Sequence, residues 1–446
     1  MEKSSSVDMI HGPLAGKLIY FALPIALSSM LQQLFNAADT SVVGHFTNAN
    51  ALAAVGTNGE IVALLVTLAS GLAVGANVLI ARMIGEGHAG GIPDAVHTSV
   101  LLALISGIAG MAVGWFTAGP LLVAIRTPAE VFREAVLYLK IYYLGYPFLM
   151  LYNFGSAILR ANGDSRRPFV ALTLSGILNI ILNLFFVVIC RLGVAGVAAA
   201  TSISTAFSAA LVLFWLYKEQ GEFHLSIRGF RLQGECVRSV LMIGIPAAVQ
   251  GAVFCFANIF VQASVNSFGA IAAAGSTIAM NFEYFGYYMI TAFGQAATTF
   301  TSQNFAAGER RRCLRIMWCC LLFSAIFSAV ITVPLTVWRE ASSAFFTSEV
   351  QVIRAACLRI ILILTFEPVC GFYEVPAGVM RGMGHSTLPA VLTVVGTCLL
   401  RIVWIFTVFA HFHTQETLFV VFPISWVVTI ILTAVGFLFV WRKEKI

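Results

Sequence analysis

Charged residues are scarce in this chain of 446 residues. Only 10% of the residues are Asp, Glu, Lys or Arg, whereas soluble domains carry about 25%. So few charges cannot cover a surface with solvated groups, which excludes an ordinary soluble protein. The hydrophobic content of 59% is concentrated in apolar runs of roughly 20 residues, each able to cross a hydrocarbon core of about 30 Å. The sequence therefore predicts an all-α integral membrane protein.

Catalytic and nucleotide-binding motifs are also missing. The chain contains no G-x-x-x-x-G-K-[ST] P-loop, no H-E-x-x-H and no G-x-S-x-G, the patterns that bind phosphates, catalytic zinc and a serine nucleophile. The nine cysteines follow neither metal-ligand nor disulfide spacing and are expected to pack as small apolar groups. These absences argue against an enzyme, a self-contained ATP-driven pump and a bound cofactor.

The apolar runs predict twelve transmembrane helices. The longest polar stretch divides them into two six-helix bundles: an N-terminal lobe at 1–217, a cytoplasmic linker at 218–237 and a C-terminal lobe at 238–446. The predicted segments lie near 17–44, 52–81, 94–118, 134–158, 168–190, 193–217, 238–265, 277–304, 314–338, 353–378, 387–410 and 418–441.

The two halves carry matching residues at a nearly constant separation. Leu23–Ala26 matches Ile245–Ala248, and Leu159–Pro168 matches Met380–Pro389. Because six is an even number of crossings, both copies enter the membrane from the same side. The sequence therefore predicts a parallel internal repeat about an axis along the membrane normal, an arrangement found in alternating-access transporters.

Lysine and arginine are unequally distributed between the two sides of the membrane. With the N-terminus inside, the cytoplasmic side holds Lys3, Lys17, Arg82, Arg160, Arg166, Arg167, Lys218, Arg228, Arg231, Arg238, Arg310, Arg311, Arg312, Arg315, Arg381, Arg442, Lys443 and Lys445, and the other side holds Arg126, Arg133, Arg191, Arg339, Arg354 and Arg359. This excess follows the positive-inside rule, so both termini and the linker are predicted to be cytoplasmic, in a bacterial inner membrane. The net charge of +6 is then a topology signal and not a nucleic-acid-binding surface.

The apolar stretch Leu23–Phe46 contains one carboxylate, Asp39. An ionised aspartate at the centre of a membrane helix costs about 3 kcal/mol, which indicates that Asp39 binds or carries a cation. Asn179 and Asn183 are four residues apart and share a helix face. With a helical rise of about 1.5 Å per residue, these three residues and Thr201 all fall in the outer half of the first bundle.

One carboxylate, two amides and a hydroxyl make either an oxygen cage for Na⁺ or a hydrogen-bonded protonation site. No structural metal is expected. The alternative is that the amides and the hydroxyl only bond between helices, at about 0.6 kcal/mol each. That alternative leaves Asp39 unexplained, so a cation-coupling role for the four residues is favoured.

The second half has its own acids, Glu283, Glu367 and Glu374. Glu283 lies in a run of aromatic residues that includes Tyr287, a setting that attracts a lipophilic cation through charge and cation–π contact. Tyrosines near a membrane interface are also ordinary anchors, and the two interpretations stay open. These four residues are candidates for substrate binding.

Three basic residues also fall within predicted helices. Lys140 and Arg359 occupy matching repeat positions, and each is expected to form a salt bridge to a neighbouring helix. Arg401 is expected to pair with an acid of the second lobe.

The pattern resembles the MATE (multidrug and toxic compound extrusion) family, within the multidrug/oligosaccharidyl-lipid/polysaccharide flippase superfamily, over the whole chain. The resemblance implies two six-helix lobes facing a central cleft, with helix 1 bending at Pro24 when Asp39 is protonated or cation-bound. It also implies export of organic cations driven by entry of H⁺ or Na⁺. It is carried by Pro24, Asp39, Leu159, Arg160, Gly163, Asp164, Asn179–Asn183, Thr201, Met380–Gly382 and Gly384.

The chain departs from the family pattern at two positions. The family commonly has N-x-x-x-D in helix 5, where this chain has Asn183, so the first lobe keeps a single carboxylate. A proton needs only one carboxylate, which favours H⁺ over Na⁺ as the coupling ion. Some members carry an acid in helix 10 where this chain has Cys370, with Glu374 one turn further on.

These observations predict a cation-coupled antiporter that exports lipophilic, often cationic drugs by alternating access. The alternative is a flippase of the same superfamily that moves a lipid-linked sugar or another amphiphile. That cargo is anionic and would need a cationic cleft, whereas buried acids outnumber buried bases in the outer half. The expected partners are a small-molecule drug and membrane lipids, and the chain is expected to act as a monomer.

Overall fold

The computed structural model describes residues 7–47, 49–125, 127–226 and 229–444. Within these ranges the chain is helical and forms no strand. Lys3, Arg126, Arg228 and Lys445, which entered the predicted topology, lie outside the described residues. Twelve long helical segments are present: α1 Leu14–Phe46, α2 Ala49–Gly85, α3 Ile92–Ala124, α4 Ala129–Ala161, α5 Arg166–Ile189, α6 Gly193–Lys218, α7 Gly234–Asn266, α8 Ala270–Ala306, α9 Arg310–Val337, α10 Val350–Gly382, α11 Thr387–Phe409 and α12 Gln415–Lys443.

Eleven of the described segments are long and apolar enough to cross a membrane. The remaining segment, α8, has 37 residues and carries a polar run near its C-terminal end. The polar side chains of this run are buried, so the low hydropathy of α8 reflects packing inside the protein. The prediction of an all-α integral membrane protein is confirmed. The buried polar residues of α8 are Thr298, Thr299, Thr301, Ser302 and Gln303.

Three of the helices are interrupted by π-helical turns that the sequence did not predict. α5 ends in the π-helix Leu184–Ile189, and α11 ends in the π-helix Ile405–Phe409 after an earlier one at Val394–Leu399. α10 contains the π-helix Ile360–Leu364 followed by the 3₁₀ turn Glu367–Cys370. Such insertions frequently mark functional sites within helices.

The chain divides into two compact units. The first contains Leu27–Ala248 together with Val7, and the second contains Asp8–Ala26 together with the chain from Val249 onward. Both divisions fall inside a helix, two residues after Pro24 in α1 and two residues after Pro246 in α7. The lobe boundaries predicted at 217 and 238 remain predictions.

α4 is central to the first unit, where it packs against α2, α3 and α6. Its contact with α3 is close because small residues of α3 face the rings of α4. A Cβ at Gly110 would lie 2.3 Å from the ring of Tyr146, and one at Gly114 would lie 1.9 Å from the ring of Tyr143. The polar segment after α6 returns to the N-terminal end of α3, where the backbone N–H of Gln233 donates to Thr98 Oγ1 at 3.2 Å.

In the second unit α8 packs against α9 and α10. The segment before α1 is attached to the C-terminal end of α8 and the N-terminal end of α9. Asn304 Nδ2 donates to the Met9 carbonyl at 3.1 Å, and Arg312 Nη1 donates to the Gly12 carbonyl at 2.9 Å. These contacts fix the beginning of α1 beside the basic turn between α8 and α9.

Candidate functional site

Asp39 lies on the part of α1 that belongs to the first unit and is only 8% exposed. The position of α1 beside α5 is set one turn earlier. Phe35 lies over Gly176 of α5, where an added Cβ would be 1.8 Å from the phenylalanine ring. Any larger residue at Gly176 would push α1 away, so this glycine brings Asp39 within reach of the polar face of α5.

The structure brings all four predicted coupling residues together. Asn183 Nδ2 donates to Asp39 Oδ1 at 2.5 Å and to Asn179 Oδ1 at 3.2 Å. Thr201 Oγ1 lies 3.4 Å from Asp39 Oδ2 and also 3.0 Å from the Val197 carbonyl, one turn earlier in α6. Asn179 Nδ2 donates to Thr201 Oγ1 at 3.4 Å. Their common role in ion coupling stays a prediction.

The orientation of the Asn183 amide follows from its neighbours. Both nearby groups, Asp39 Oδ1 and Asn179 Oδ1, are acceptors, so the nitrogen must face them. This leaves Asn183 Oδ1 buried without a hydrogen-bond partner. Together with the Asp39 carboxylate, the amide oxygens could contribute to a Na⁺ site, whereas the carboxylate alone could hold a proton.

No counter-charge for Asp39 is present among the described residues. None of the ion pairs there involves Asp39, and its hydrogen-bond partners are neutral amide and hydroxyl groups. A buried carboxylate without a basic partner is costly, by several kcal/mol. Hydrogen bonds to the charged carboxylate offset roughly 1.5–3 kcal/mol each of this cost. Because the negative charge itself stays unbalanced, the site is suited to take up a positive charge.

Two tyrosines of α4 also lie near this site. The sequence analysis did not predict them. Tyr138 and Tyr142 are buried, interact electrostatically with Asp39 and stack on each other with ring centroids 6.3 Å apart. Their four-residue spacing in the sequence is the signal that could have placed them on one face of α4. Close by is a small cavity, about the size of one water molecule, lined by Tyr142, Gly145, Leu149, Thr201, Ser202 and Thr205.

The structure pairs Glu283 with a base. Arg359 donates from Nε to Glu283 Oε1 at 2.7 Å and from Nη2 to Oε2 at 2.8 Å, and its Nη1 donates to Ser276 Oγ at 2.6 Å. Arg359 therefore forms the predicted salt bridge to a neighbouring helix. The charge of Glu283 is compensated within the protein, and its role in substrate binding remains a prediction.

Glu374 also has a basic partner in the second unit. Its Oε1 lies 3.4 Å from Arg381 Nη1, and Arg381 Nη2 donates to Gln250 Oε1 at 2.8 Å. Tyr287 is half-buried and interacts electrostatically with Glu374. Glu367 is different, because its Oε2 is buried and forms no hydrogen bond.

Two expectations for basic residues are wrong. Arg401 forms no ion pair with a described acid; its Nε donates to Ser425 Oγ at 3.1 Å and its guanidinium lies 4.1 Å from the ring of Phe422. Lys140 likewise forms no salt bridge with a described acid, and its ammonium lies over Trp115 at 5.1 Å. Aromatic faces stabilise cations in water-poor surroundings, and hydropathy patterns do not show which ring a basic side chain will reach.

The remaining predicted residue, Pro24, lies inside α1. Because proline lacks an N–H and its ring crowds the preceding turn, it weakens the helix at that point. The division between the two units falls just after it, which suits a residue predicted to act as a hinge. Across the described residues, no group of three or more His, Cys, Asp and Glu side chains is placed to hold a metal ion.

The family model MatE matches the chain twice, at residues 24–185 and 246–407. The two matches have the separation predicted for the internal repeat, which they support. The chain is 24% identical over 435 residues to the probable multidrug resistance protein YoeA of Bacillus subtilis, covering 96% of this chain and 94% of that protein. It is 26% identical to the probable multidrug resistance protein NorM of Thermotoga maritima, covering 89% of this chain and 86% of that protein.

The fold is also shared with solved structures. A MOP superfamily transporter from Pyrococcus furiosus, described as having a binding pocket of reverse polarity, superposes with a TM-score of 0.90 at 22% identity and covers 100% of this chain and 99% of its own. The resemblance found in the sequence and the prediction that the chain is not an enzyme are both confirmed. This chain is a multi-pass membrane transporter that belongs to the MatE family.

Proposed function

We propose that the chain is a proton-coupled antiporter that exports lipophilic, often cationic drugs, with Asp39 as the coupling carboxylate. The observation that carries the proposal is the burial of Asp39 among neutral hydrogen-bond partners and without a described basic partner. A proton or a drug cation can each neutralise this charge, but both cannot occupy it at once. Competition for one carboxylate couples entry of the proton to departure of the drug.

The Thr201 hydroxyl lets the site change protonation without moving a heavy atom. When Asp39 is ionised, the hydroxyl can donate to Oδ2, 3.4 Å away. When Oδ2 carries a proton, the hydroxyl can rotate, accept that proton's hydrogen bond and donate to the Val197 carbonyl at 3.0 Å. Asn183 Nδ2 donates to Oδ1 in both states. Thr201 is therefore a positioning residue for the coupling proton.

Sodium would require a larger rearrangement at the same site. The Asn183 amide presents its nitrogen to both Asp39 Oδ1 and Asn179 Oδ1, and an amide nitrogen cannot coordinate a cation. To add the Asn183 oxygen to a Na⁺ shell, the amide would have to turn and give up both hydrogen bonds. This comparison supports H⁺ as the coupling ion.

The drug cation would approach Asp39 along the stacked rings of Tyr138 and Tyr142, since aromatic faces attract cations. The cavity beside Thr201 is no larger than about one water molecule, so drug entry requires a more open conformation. Bending of α1 at Pro24 would supply that opening. We place the transporter in a bacterial inner membrane as a monomer with both termini cytoplasmic, as the distribution of Lys and Arg predicts.

Efflux from energised cells tests this function. Ethidium and a fluoroquinolone should be exported equally well in Na⁺ and K⁺ buffers, and an uncoupler should stop both. Thr201→Val should narrow the pH range of export, and Thr201→Ser, which keeps the hydroxyl, should restore it. Export that stops in Na⁺-free buffer at a constant pH gradient would show that the proton assignment is wrong.

A second function is favoured by one observation. Arg401 is 2% exposed and forms no close ion pair with an acid among the described residues, and a buried guanidinium is suited to the phosphate or carboxylate of an anionic amphiphile. A fluorescent phosphatidylglycerol analogue distinguishes the two functions. Arg401-dependent movement of this lipid, without export of ethidium, would favour a flippase.

A further inference from the structure

Helix α9 of the second unit leaves one apolar face exposed along its whole length. The opposite face is buried, and α9 packs against α8. The exposed side chains recur every three or four residues, so they form a single stripe on the helix. In a membrane protein a continuous stripe of large apolar groups is a surface for lipid chains. Its members, each between 47% and 66% exposed, are Trp318, Leu322, Ile326, Val330, Val333 and Val337.

Two tryptophans mark the ends of this stripe. Trp318 and Trp338 are 63% and 65% exposed and lie 20 residues apart. With a rise of about 1.5 Å per residue, they are separated by about 30 Å along the helix axis, which is the thickness of a hydrocarbon core. Because tryptophan is enriched at both membrane–water interfaces, the hydrocarbon layer corresponds to the length of α9 between these two rings.

Two arginines continue the same stripe beyond Trp318. Arg315 lies three residues before this tryptophan and Arg311 lies seven residues before it, about 5 Å and about 10 Å further along the axis. The headgroup layer extends about 5–7 Å beyond the hydrocarbon core on each side. Arg315 therefore falls within the headgroup layer and Arg311 at its outer edge, where a long guanidinium side chain can reach a lipid phosphate.

The four arginines at this end of α9 differ in their partners. Arg310 and Arg312 donate to backbone carbonyls of other segments of the second unit. Arg311 and Arg315 are exposed, and neither forms an ion pair or a side-chain hydrogen bond with a described residue. Like charges four residues apart on a helix repel each other. A phosphate between the two guanidinium groups would remove this repulsion.

The other end of the stripe has no such excess of positive charge. Trp338 is followed by Arg339 and Glu340, whose charges cancel, and Arg339 Nη1 donates to the Thr336 carbonyl at 3.3 Å. The apolar stripe is therefore joined to a pair of unpartnered arginines at its N-terminal end only.

We propose that an anionic phospholipid of the phosphatidylglycerol type binds at the N-terminal end of α9. Its phosphate lies between Arg311 and Arg315, and an acyl chain follows Trp318 and Leu322. Guanidinium groups bind phosphates through charge-assisted hydrogen bonds. The attraction of one basic side chain to an anionic membrane surface corresponds to about a fivefold gain in affinity. The lipid is here a bound partner and not the cargo, so the site does not depend on the proposed drug export.

Quenching of Trp318 fluorescence by brominated lipids tests this site. The full-length protein is placed in phosphatidylcholine vesicles that contain increasing fractions of either brominated phosphatidylglycerol or brominated phosphatidylcholine. The difference in emission between the unmodified protein and Trp318→Phe isolates the signal of this tryptophan. With two arginines at the site, brominated phosphatidylglycerol should be preferred about 25-fold.

Substitutions of the two arginines should remove this preference. Arg311→Gln and Arg315→Gln should each lower it about fivefold, and the double variant should show none. Arg311→Lys and Arg315→Lys should keep most of it, because the charge is retained. The matched control is Arg354→Gln, which removes an exposed arginine of the same unit beyond the opposite end of α9 and should keep the full preference.

Three outcomes would overturn the proposal. The two brominated lipids could quench Trp318 equally, the double glutamine variant could retain the preference, or inorganic phosphate at millimolar concentration could abolish it, which would indicate an adventitious ion only. If Trp318→Phe does not fold, thermal unfolding in detergent decides the question. Because a ligand that binds only the folded state stabilises it, phosphatidylglycerol should raise the unfolding midpoint of the unmodified protein more than phosphatidylcholine does. The double glutamine variant should respond equally to both lipids.

Discussion

Replacing Asp39 by asparagine should stop coupled export while leaving the fold intact. The substitution keeps the shape of the side chain and an oxygen that can accept from Asn183 Nδ2, as Oδ1 does now at 2.5 Å. The new amide nitrogen can donate to Thr201 Oγ1, which can donate to the Val197 carbonyl at 3.0 Å. Each hydrogen bond that the Asp39 carboxylate makes can then be replaced by one between neutral groups.

The expected stability of the Asp39→Asn variant follows from this comparison of hydrogen bonds. The variant no longer buries a carboxylate that lacks a described basic partner. Replacing buried ionic groups by neutral ones of similar volume is often neutral or stabilising, by about 1–4 kcal/mol. The thermal unfolding midpoint of Asp39→Asn should therefore equal or exceed that of the unmodified protein.

The expected loss of transport can also be estimated. One proton entering for one monovalent drug cation leaving moves no net charge, so the pH difference across the membrane drives the exchange. Each unit of pH difference is worth about 1.4 kcal/mol, which corresponds to a tenfold concentration ratio, so one coupled proton can sustain a drug gradient of about tenfold per pH unit beyond the ratio found without coupling. Without an ionisable group at position 39 this gradient should collapse to the ratio found with an uncoupler.

Steady-state ethidium accumulation in energised cells measures this gradient. Glu60→Gln is the matched control, because Glu60 is an exposed acid of the same unit and its neutralisation should leave export unchanged. Two results would refute the reasoning. One is normal export by Asp39→Asn, and the other is a lowered unfolding midpoint, which would mean that the carboxylate serves the fold.

Four further predictions concern other parts of the chain. Asn183→Asp places a second carboxylate beside Asp39, and like charges at close range need a proton or cation between them. Export should therefore gain Na⁺ dependence or a higher pH optimum, and an unchanged dependence of export on Na⁺ and pH would contradict this. Arg359→Gln should lower stability by about 3–5 kcal/mol, because it leaves Glu283 buried and unpaired, and adding Glu283→Gln should recover most of the loss in a denaturation assay. Pro24→Ala should slow drug turnover without lowering the unfolding midpoint, and unchanged turnover would remove the hinge role. A cysteine introduced at Gln233 should resist membrane-impermeant maleimide in intact cells, and rapid labelling from outside would reverse the predicted topology.

Much of the architecture could be predicted from the chain alone. Long apolar runs must form helices in lipid, because each backbone N–H and C=O needs a partner within its own segment. The polar run of α8 shows the limit of this argument. Its threonines and Gln303 are buried against other helices, and hydropathy does not distinguish a residue facing protein from one facing water.

The clustering of polar side chains around Asp39 was predictable for a related reason. Asp39, Asn179 and Asn183 are too polar for lipid, so they had to face the protein interior, and their helical spacing placed them at one depth. The rings of Tyr138 and Tyr142 gave no such signal, because an aromatic residue is equally compatible with lipid, an interface or a core. Their position beside Asp39 depends on how α4 is rotated.

The sequence by itself determined the class of protein, the internal repeat and the burial of Asp39 among polar groups, since composition and periodicity respond directly to the solvent around a helix. Only the tertiary structure decided which charges are compensated. Glu283 and Glu367 look alike in sequence, yet one forms an ion pair with Arg359 and the other has a buried oxygen without a hydrogen bond. Contacts between helices distant in sequence depend on packing geometry, which no local pattern records.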